Sequence, residues 1–221
     1  MNARTQLFEF SCESRHVPEI VSTIFHTILI HRTTGKHTPK MDNSNAYTVG
    51  SVGFCDLDCD FLDYTYVQIN SNELAQRMNQ EIIAFSEGLK SGECNKISLE
   101  FFTRKKRSWP LNFQSENIPW EIWTVKIELM QLSNENERQV LREKLSDLLG
   151  EKVRQIIDIM DKPDYTPKLQ NQSQLDTIYE SEFKDIQPYL FRVYYSLDGS
   201  VNQVSVGTTM KRMIKDALSF S

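Results

Sequence analysis

The stretch from Asn134 to Pro163 limits what this chain can fold into more than any other. Leu141, Leu145, Leu148, Val153, Ile156 and Met160 keep one helical face apolar, Asn134 with Glu137 forms a capping box at its start, and Pro163 stops it. At 1.5 Å per residue this helix is ~40 Å long, enough to cross a whole sheet. The 221 residues of the chain suit one large domain, and at that size ~70% of the unfolded surface can be buried without disulfide or metal staples.

Shorter elements are predicted around that helix. Val17, Ile20, Val21, Ile24, Phe25, Ile28 and Leu29 follow an amphipathic i, i+3, i+4, i+7 stripe, with Ser14 as cap, Pro18 in the first turn and Gly35 as stop. Asn70 with Glu73 forms a second capping box, and Leu74, Met78, Ile82, Phe85 and Leu89 carry that helix to Gly92. Period-two alternation marks strands at 97–101 and 123–129. Tyr47 to Val52 and Cys55 to Ile69 read as extended, and the parity change near Leu62 and Asp63 predicts a bulge or bend. One short helix is expected among Leu175, Ile178, Tyr179 and Phe183. After it come a strand at 189–197, a tight turn at Asp198-Gly199, its hairpin partner at 201–206 and a terminal helix at 209–218. The whole reads as a single α+β domain over 1–221, three main helices on a mainly antiparallel β-sheet.

The 25 basic and 30 acidic residues give a net charge of -5, which argues against bulk attraction to nucleic acid or to an anionic membrane. The first nine residues hold no apolar run, so no signal peptide is expected, and the longest apolar stretch, Ile20 to Ile30, is about half a membrane span. Cys12, Cys55, Cys59 and Cys94 form no CxxC pair, which favours free thiols in a reducing compartment, the cytoplasm.

Asp56, Asp58, Asp60 and Asp63 are the most enzyme-like cluster, because alternate carboxylates on a strand share a face. A calcium loop begun at Asp56 would need Gly and Glu where Phe61 and Val67 stand, and no phosphate-cradling glycine loop follows. A metal-dependent phosphohydrolase using Asp56 and Asp58 is the alternative kept from this cluster, and structural or solvent-facing aspartates are the expected reading. Cys55 and Cys59, if extended, lie ~13 Å apart, too far to share a zinc held at ~2.3 Å. His16, His26, His31 and His37 read as scattered surface or capping residues. No nucleophile elbow, Walker loop or dinucleotide fingerprint is present, so no catalytic residue, cofactor or metal is expected. The loop Arg104 to Phe113 differs in kind: Trp109, tied to Pro110, sits among Arg104, Lys105, Lys106 and Arg107. Its Trp either folds back on its own sheet or is presented as an anchor for a partner, and a membrane-surface role for the basic run is the third alternative.

Several stretches together carry a family resemblance. They are 26–36 (HTILIHRTTGK), 58–67 (DCDFLDYTYV), 98–101 (SLEF), Trp109-Pro110, 118–126 (IPWEIWTVK), 187–190 (QPYL) and 208–216 (TTMKRMIKD). In order and spacing the chain resembles the autophagy-related protein 101 family, HORMA-domain subunits of the autophagy initiation kinase complex. The resemblance implies a HORMA fold and a non-catalytic adaptor that pairs as a heterodimer with the HORMA domain of autophagy-related protein 13. It implies a tryptophan and phenylalanine finger that recruits downstream autophagy factors, falling on Trp109 and Pro110; the next position is Leu111 where the family usually has phenylalanine, and Phe113 follows two residues later. It further implies that 164–206 corresponds to the HORMA safety belt, and that the protein is cytoplasmic and moves to the preautophagosomal structure on induction, with any membrane contact indirect.

Overall fold

The computed structural model describes residues 3–40, 47–105, 115–162, 165–169, 174–197 and 200–204. The predicted turn at Asp198-Gly199, the terminal helix at 209–218 and the finger residues Trp109, Pro110, Leu111 and Phe113 lie outside them.

The centre is helix α1 (Val17–His31), entered through a 3-10 turn at Ser14–His16. Ser14 therefore lies inside that turn and does not cap the helix. The helix ends well before Gly35 because Thr33–Gly35 leaves it as strand β2. The amphipathic expectation also understates this element: Thr23, His26 and Thr27 are buried together with the apolar stripe. The Thr27 hydroxyl donates to the Thr23 carbonyl at 2.7 Å, so the helix satisfies that polarity internally.

Around α1 lie two further long helices, α2 (Asn72–Ser91) and α3 (Glu135–Met160). The cap of α2 is Ser71, whose Oγ accepts from the Leu74 amide; the predicted Asn70 is one residue too early. Gly92 closes α2 at φ 74°, a left-handed conformation that glycine adopts without a Cβ penalty. The α3 cap forms as expected, with Asn134 Oδ1 accepting from the Glu137 amide at 2.8 Å.

The main sheet holds β1 (Arg4–Cys12), β7 (Lys96–Lys105), β8 (Glu116–Leu129), β10 (Phe191–Leu197) and β11 (Ser200–Val204), in the order β1-β8-β7-β10-β11. Every neighbouring pair is antiparallel except β1 with β8, which is parallel. Phe8, Phe10 and Cys12 of β1, Ile97, Leu99 and Phe101 of β7, and Trp123, Val125 and Ile127 of β8 join the three helices in one buried core. Two small sheets flank it: β2 with β9 (Ile186–Pro188), and β3 (His37–Pro39) with β4 (Tyr47–Val49). A Cβ on Gly35 would meet the Gly50 carbonyl oxygen at 1.8 Å, so the two segments approach only because residue 35 is glycine.

The last unit is the hairpin β5 (Phe54–Asp58) and β6 (Thr65–Ile69). The predicted bend near Leu62 and Asp63 is its turn: parity changes because the chain reverses. α4 (Leu175–Ile178) is the expected short helix. The described residues therefore form a mixed α+β fold with three long helices.

Candidate interaction site

Strands β7 and β8 form a long antiparallel ladder, and residues 106–114, which include Trp109 and lie outside the described residues, follow its far end in sequence. Thr103 pairs with Ile118, Arg104 with Asn117 and Lys105 with Glu116. Arg104, Lys105, Glu116, Asn117 and Ile118 are exposed, so the described ends of the two strands leave the body of the domain as a stem.

At the base of this stem sits a buried polar node. Side chains at 121, 123, 125 and 127 of β8 share the core-facing side, which puts the Glu121 carboxylate among Trp123, Val125 and Ile127. Arg32, just past the end of α1, meets it bidentately: Nε donates to Oε2 at 2.6 Å and Nη2 to Oε1 at 2.9 Å. Both residues are 2% exposed. Tyr165, from the segment after α3, completes the node, accepting from Arg32 Nη2 at 2.7 Å and donating to Glu121 Oε1 at 2.5 Å. Burial works against the guanidinium charge, but the hydrogen bonds and charge of Glu121 outweigh it and hold the Arg32 pKa above its ordinary value. Burial, and then the donated bond to Glu121, push the Tyr165 phenol up to about 12.

An aromatic cluster encloses the node. Trp120 lies 5.3 Å from Tyr189 and 6.2 Å from Tyr165, Arg32 stands 5.6 Å above the Trp120 ring, and the Arg4 guanidinium covers Tyr165 at 3.6 Å. The Tyr189 hydroxyl donates to the Pro167 carbonyl at 3.2 Å, and its amide donates to the Arg32 carbonyl at 2.9 Å. The residues on both sides of α4 are thus tied to the end of α1 and to the stem. A carboxylate in step with the core positions of a strand was the one signal in the sequence for this node. Its basic partner, 89 residues away, gave none.

The four aspartates do not converge on a metal. Asp56, Asp58, Asp60 and Asp63 are all exposed. Asp58 accepts from the Thr65 hydroxyl at 2.6 Å, and Asp63 pairs with Arg142 of α3. Among the described residues no group of three or more His, Cys, Asp or Glu is placed to hold a metal ion. The turn is instead clasped by α1 and α3: Glu19 Oε1 accepts from the amides of Asp60 at 2.7 Å and Phe61 at 2.9 Å, and Ser146 Oγ accepts from the Asp63 amide at 3.1 Å.

Two of the four histidines depart from expectation. His16, in the 3-10 turn, is 1% and His26, midway along α1, is 5% exposed, whereas His31 at the end of α1 is exposed as expected. His26 stacks on Tyr66, and burial lowers its pKa to about 4. All four cysteines are free. Burial raises Cys12 and Cys59 to about 12 and Cys94 to about 11, so none of these three is a ready nucleophile.

Residues 9–173 match the family model for autophagy-related protein 101, a span that takes in α1, α2, the hairpin, the stem, α3 and Tyr165. The chain belongs to the autophagy-related protein 101 family. It is 42% identical to autophagy-related protein 101 of Xenopus tropicalis and 40% identical to that of Homo sapiens, each across 99% of this chain and 100% of the relative. The plant relative from Arabidopsis thaliana is 26% identical over 57% of this chain and 53% of its own length. As a member of the autophagy-related protein 101 family the chain is an autophagy-related protein. None of its described helices is long and apolar enough to cross a membrane.

Proposed function

We propose that this chain is a non-catalytic adaptor of the autophagy initiation complex. In this reading it adopts a HORMA fold over 1–221, pairs with and stabilises the HORMA domain of autophagy-related protein 13, and recruits downstream autophagy factors through Trp109, Pro110, Leu111 and Phe113. The observation that carries it is the match to autophagy-related protein 101 over nearly the whole chain. Three long helices packed on a mainly antiparallel sheet agree with the fold the resemblance implies. The exposed β7–β8 stem supports a role for its loop outside the core. Asp58, engaged by Thr65, and Asp63, engaged by Arg142, favour the adaptor over a phosphohydrolase. In the same reading 164–206 is the safety-belt segment, its start tied down by Tyr165, and the protein works in the cytoplasm and at the preautophagosomal structure.

Calorimetry with the isolated HORMA domain of autophagy-related protein 13 tests the reading directly. Binding at micromolar concentrations and a raised melting temperature of the mixture are expected, since a partner that binds only the folded state shifts unfolding by mass action. No heat of binding removes the adaptor reading. With the pair in hand, Trp109→Ala should leave that heat unchanged while costing at least ~2 kcal/mol of binding to the recruited factor, the scale of an interface hot spot.

A further inference from the structure

The β5–β6 hairpin is a two-stranded sheet, and among the described residues β6 is the only strand that pairs with β5. The register fixes which backbone groups are left over. The Asn70 amide donates to the Gly53 carbonyl and the Cys59 amide to the Tyr64 carbonyl, so the pairs 53–70, 55–68, 57–66 and 59–64 exchange hydrogen bonds across the hairpin. Phe54, Asp56 and Asp58 alternate with them, and their N–H and C=O groups point away from β6, along the outer edge. The side chains of those three residues share one face, and all are exposed, Phe54 by 54%. Leu57, on the other face between the two aspartates, is 37% exposed.

This edge is held in place. Leu62 and Ile69 are each 1% exposed and anchor the turn and the end of β6 in the core, while Glu19 and Ser146 fix the turn backbone. Ordering an incoming strand is therefore the main entropic cost of pairing, because the template is already rigid.

Charge selects what can pair. Between Tyr47 and Ile69 there are four aspartates and no lysine, arginine or histidine. Arg142 neutralises Asp63, but Asp56 and Asp58 stand on the open edge itself. A second copy of β5 laid alongside would set aspartate against aspartate, which opposes self-association in the way edge charges commonly do. A strand with basic residues at those positions gains the same interactions with the sign reversed.

We infer that the outer edge of β5 is a docking site for an extended, basic peptide of a partner protein, which adds to the hairpin as a third, antiparallel strand. Read from its N-terminus, the peptide places a basic residue opposite Asp58, an apolar one opposite Leu57, a second basic one opposite Asp56, any residue opposite Cys55 and an aromatic or aliphatic one opposite Phe54. The site belongs to neither the β7–β8 stem nor the Arg32 node, and it goes beyond the pairing proposed above.

The test uses the full chain and a synthetic fluorescent peptide with lysine, valine, lysine, threonine and phenylalanine at its centre. Fluorescence anisotropy should show saturable binding, at least about tenfold weaker when both lysines become glutamate. The double variant Asp56→Lys with Asp58→Lys should reverse that preference. A peptide methylated on both lysine backbone amides should lose binding whether or not any protein variant folds, because strand addition needs those donors. Absence of binding, equal binding of the methylated peptide, or binding indifferent to charge on both sides overturns the assignment.

Discussion

The ion pairs Arg32–Glu121 and Arg142–Asp63 join the same two chemical groups in opposite surroundings. The side chains of the first are 3% and 2% exposed, those of the second 43% and 62%. In water an exposed pair gains about as much as its ordering costs, and its net value is commonly ~0–1 kcal/mol. In the core neither partner has water to fall back on, so removing one strands the other. The contrast teaches that the Arg32 node locks three distant segments into one arrangement, whereas the Arg142 pair adds little to a turn already held by its backbone amides.

The sharpest way to break this contrast is Glu121→Gln. It keeps the shape but leaves the Arg32 charge buried and uncompensated, and a loss of about 3–5 kcal/mol is expected in urea unfolding. A loss under ~1 kcal/mol would mean that solvent reaches the node.

His26 extends the comparison to a buried group that avoids ionising altogether. Its ordinary pKa of 6.5 falls to about 4 in the folded chain. The unfolded chain therefore takes up a proton below pH 6.5 that the folded chain refuses until about pH 4. Stability should fall as the pH drops through that window, by about 3 kcal/mol from this group. Comparing wild type with His26→Gln at pH 7 and pH 4.5 isolates the effect, since the variant should lack this part of the acid sensitivity. Equal slopes would place His26 in contact with water.

The smallest effect is expected for Arg142→Ala: less than ~1 kcal/mol by the same unfolding measurement, shrinking further in high salt. A salt-independent loss of several kcal/mol would show that the pair behaves like the buried one.

What was legible in the sequence was local. Asn134 with Glu137 marked the start of α3 because a capping box lies within four consecutive residues. Gly92 marked the end of α2 for the same reason. Even there the local pattern points to Asn70 where Ser71 serves as cap, since neighbouring polar residues offer the same chemistry and only the backbone angle separates them. Strand β1 has only a weak local signal, Phe8, Phe10 and Cys12 alternating with Glu9 and Ser11, because that short pattern runs directly into the stronger helical stripe of α1. The pairing of Thr33–Gly35 with Ile186–Pro188, and of Arg32 with Glu121, joins residues far apart in the chain and leaves no local trace. The expectation for Trp109 and Pro110 rests on the order of residues in the sequence, whereas the Arg32 node required coordinates.

The parallel pairing of β1 with β8 bears on how the protein is made. Strand β1 leaves the ribosome well before its neighbour at residues 121–129, so it stays without that partner until the whole intervening stretch has been synthesised. At ~5–20 residues per second that delay is on the order of 10 s. Over the same interval α1 emerges with its long apolar stripe uncovered, with α3 not yet translated. The nascent chain thus displays its most adhesive segment early and covers it late, which makes it a natural client for holding chaperones during synthesis.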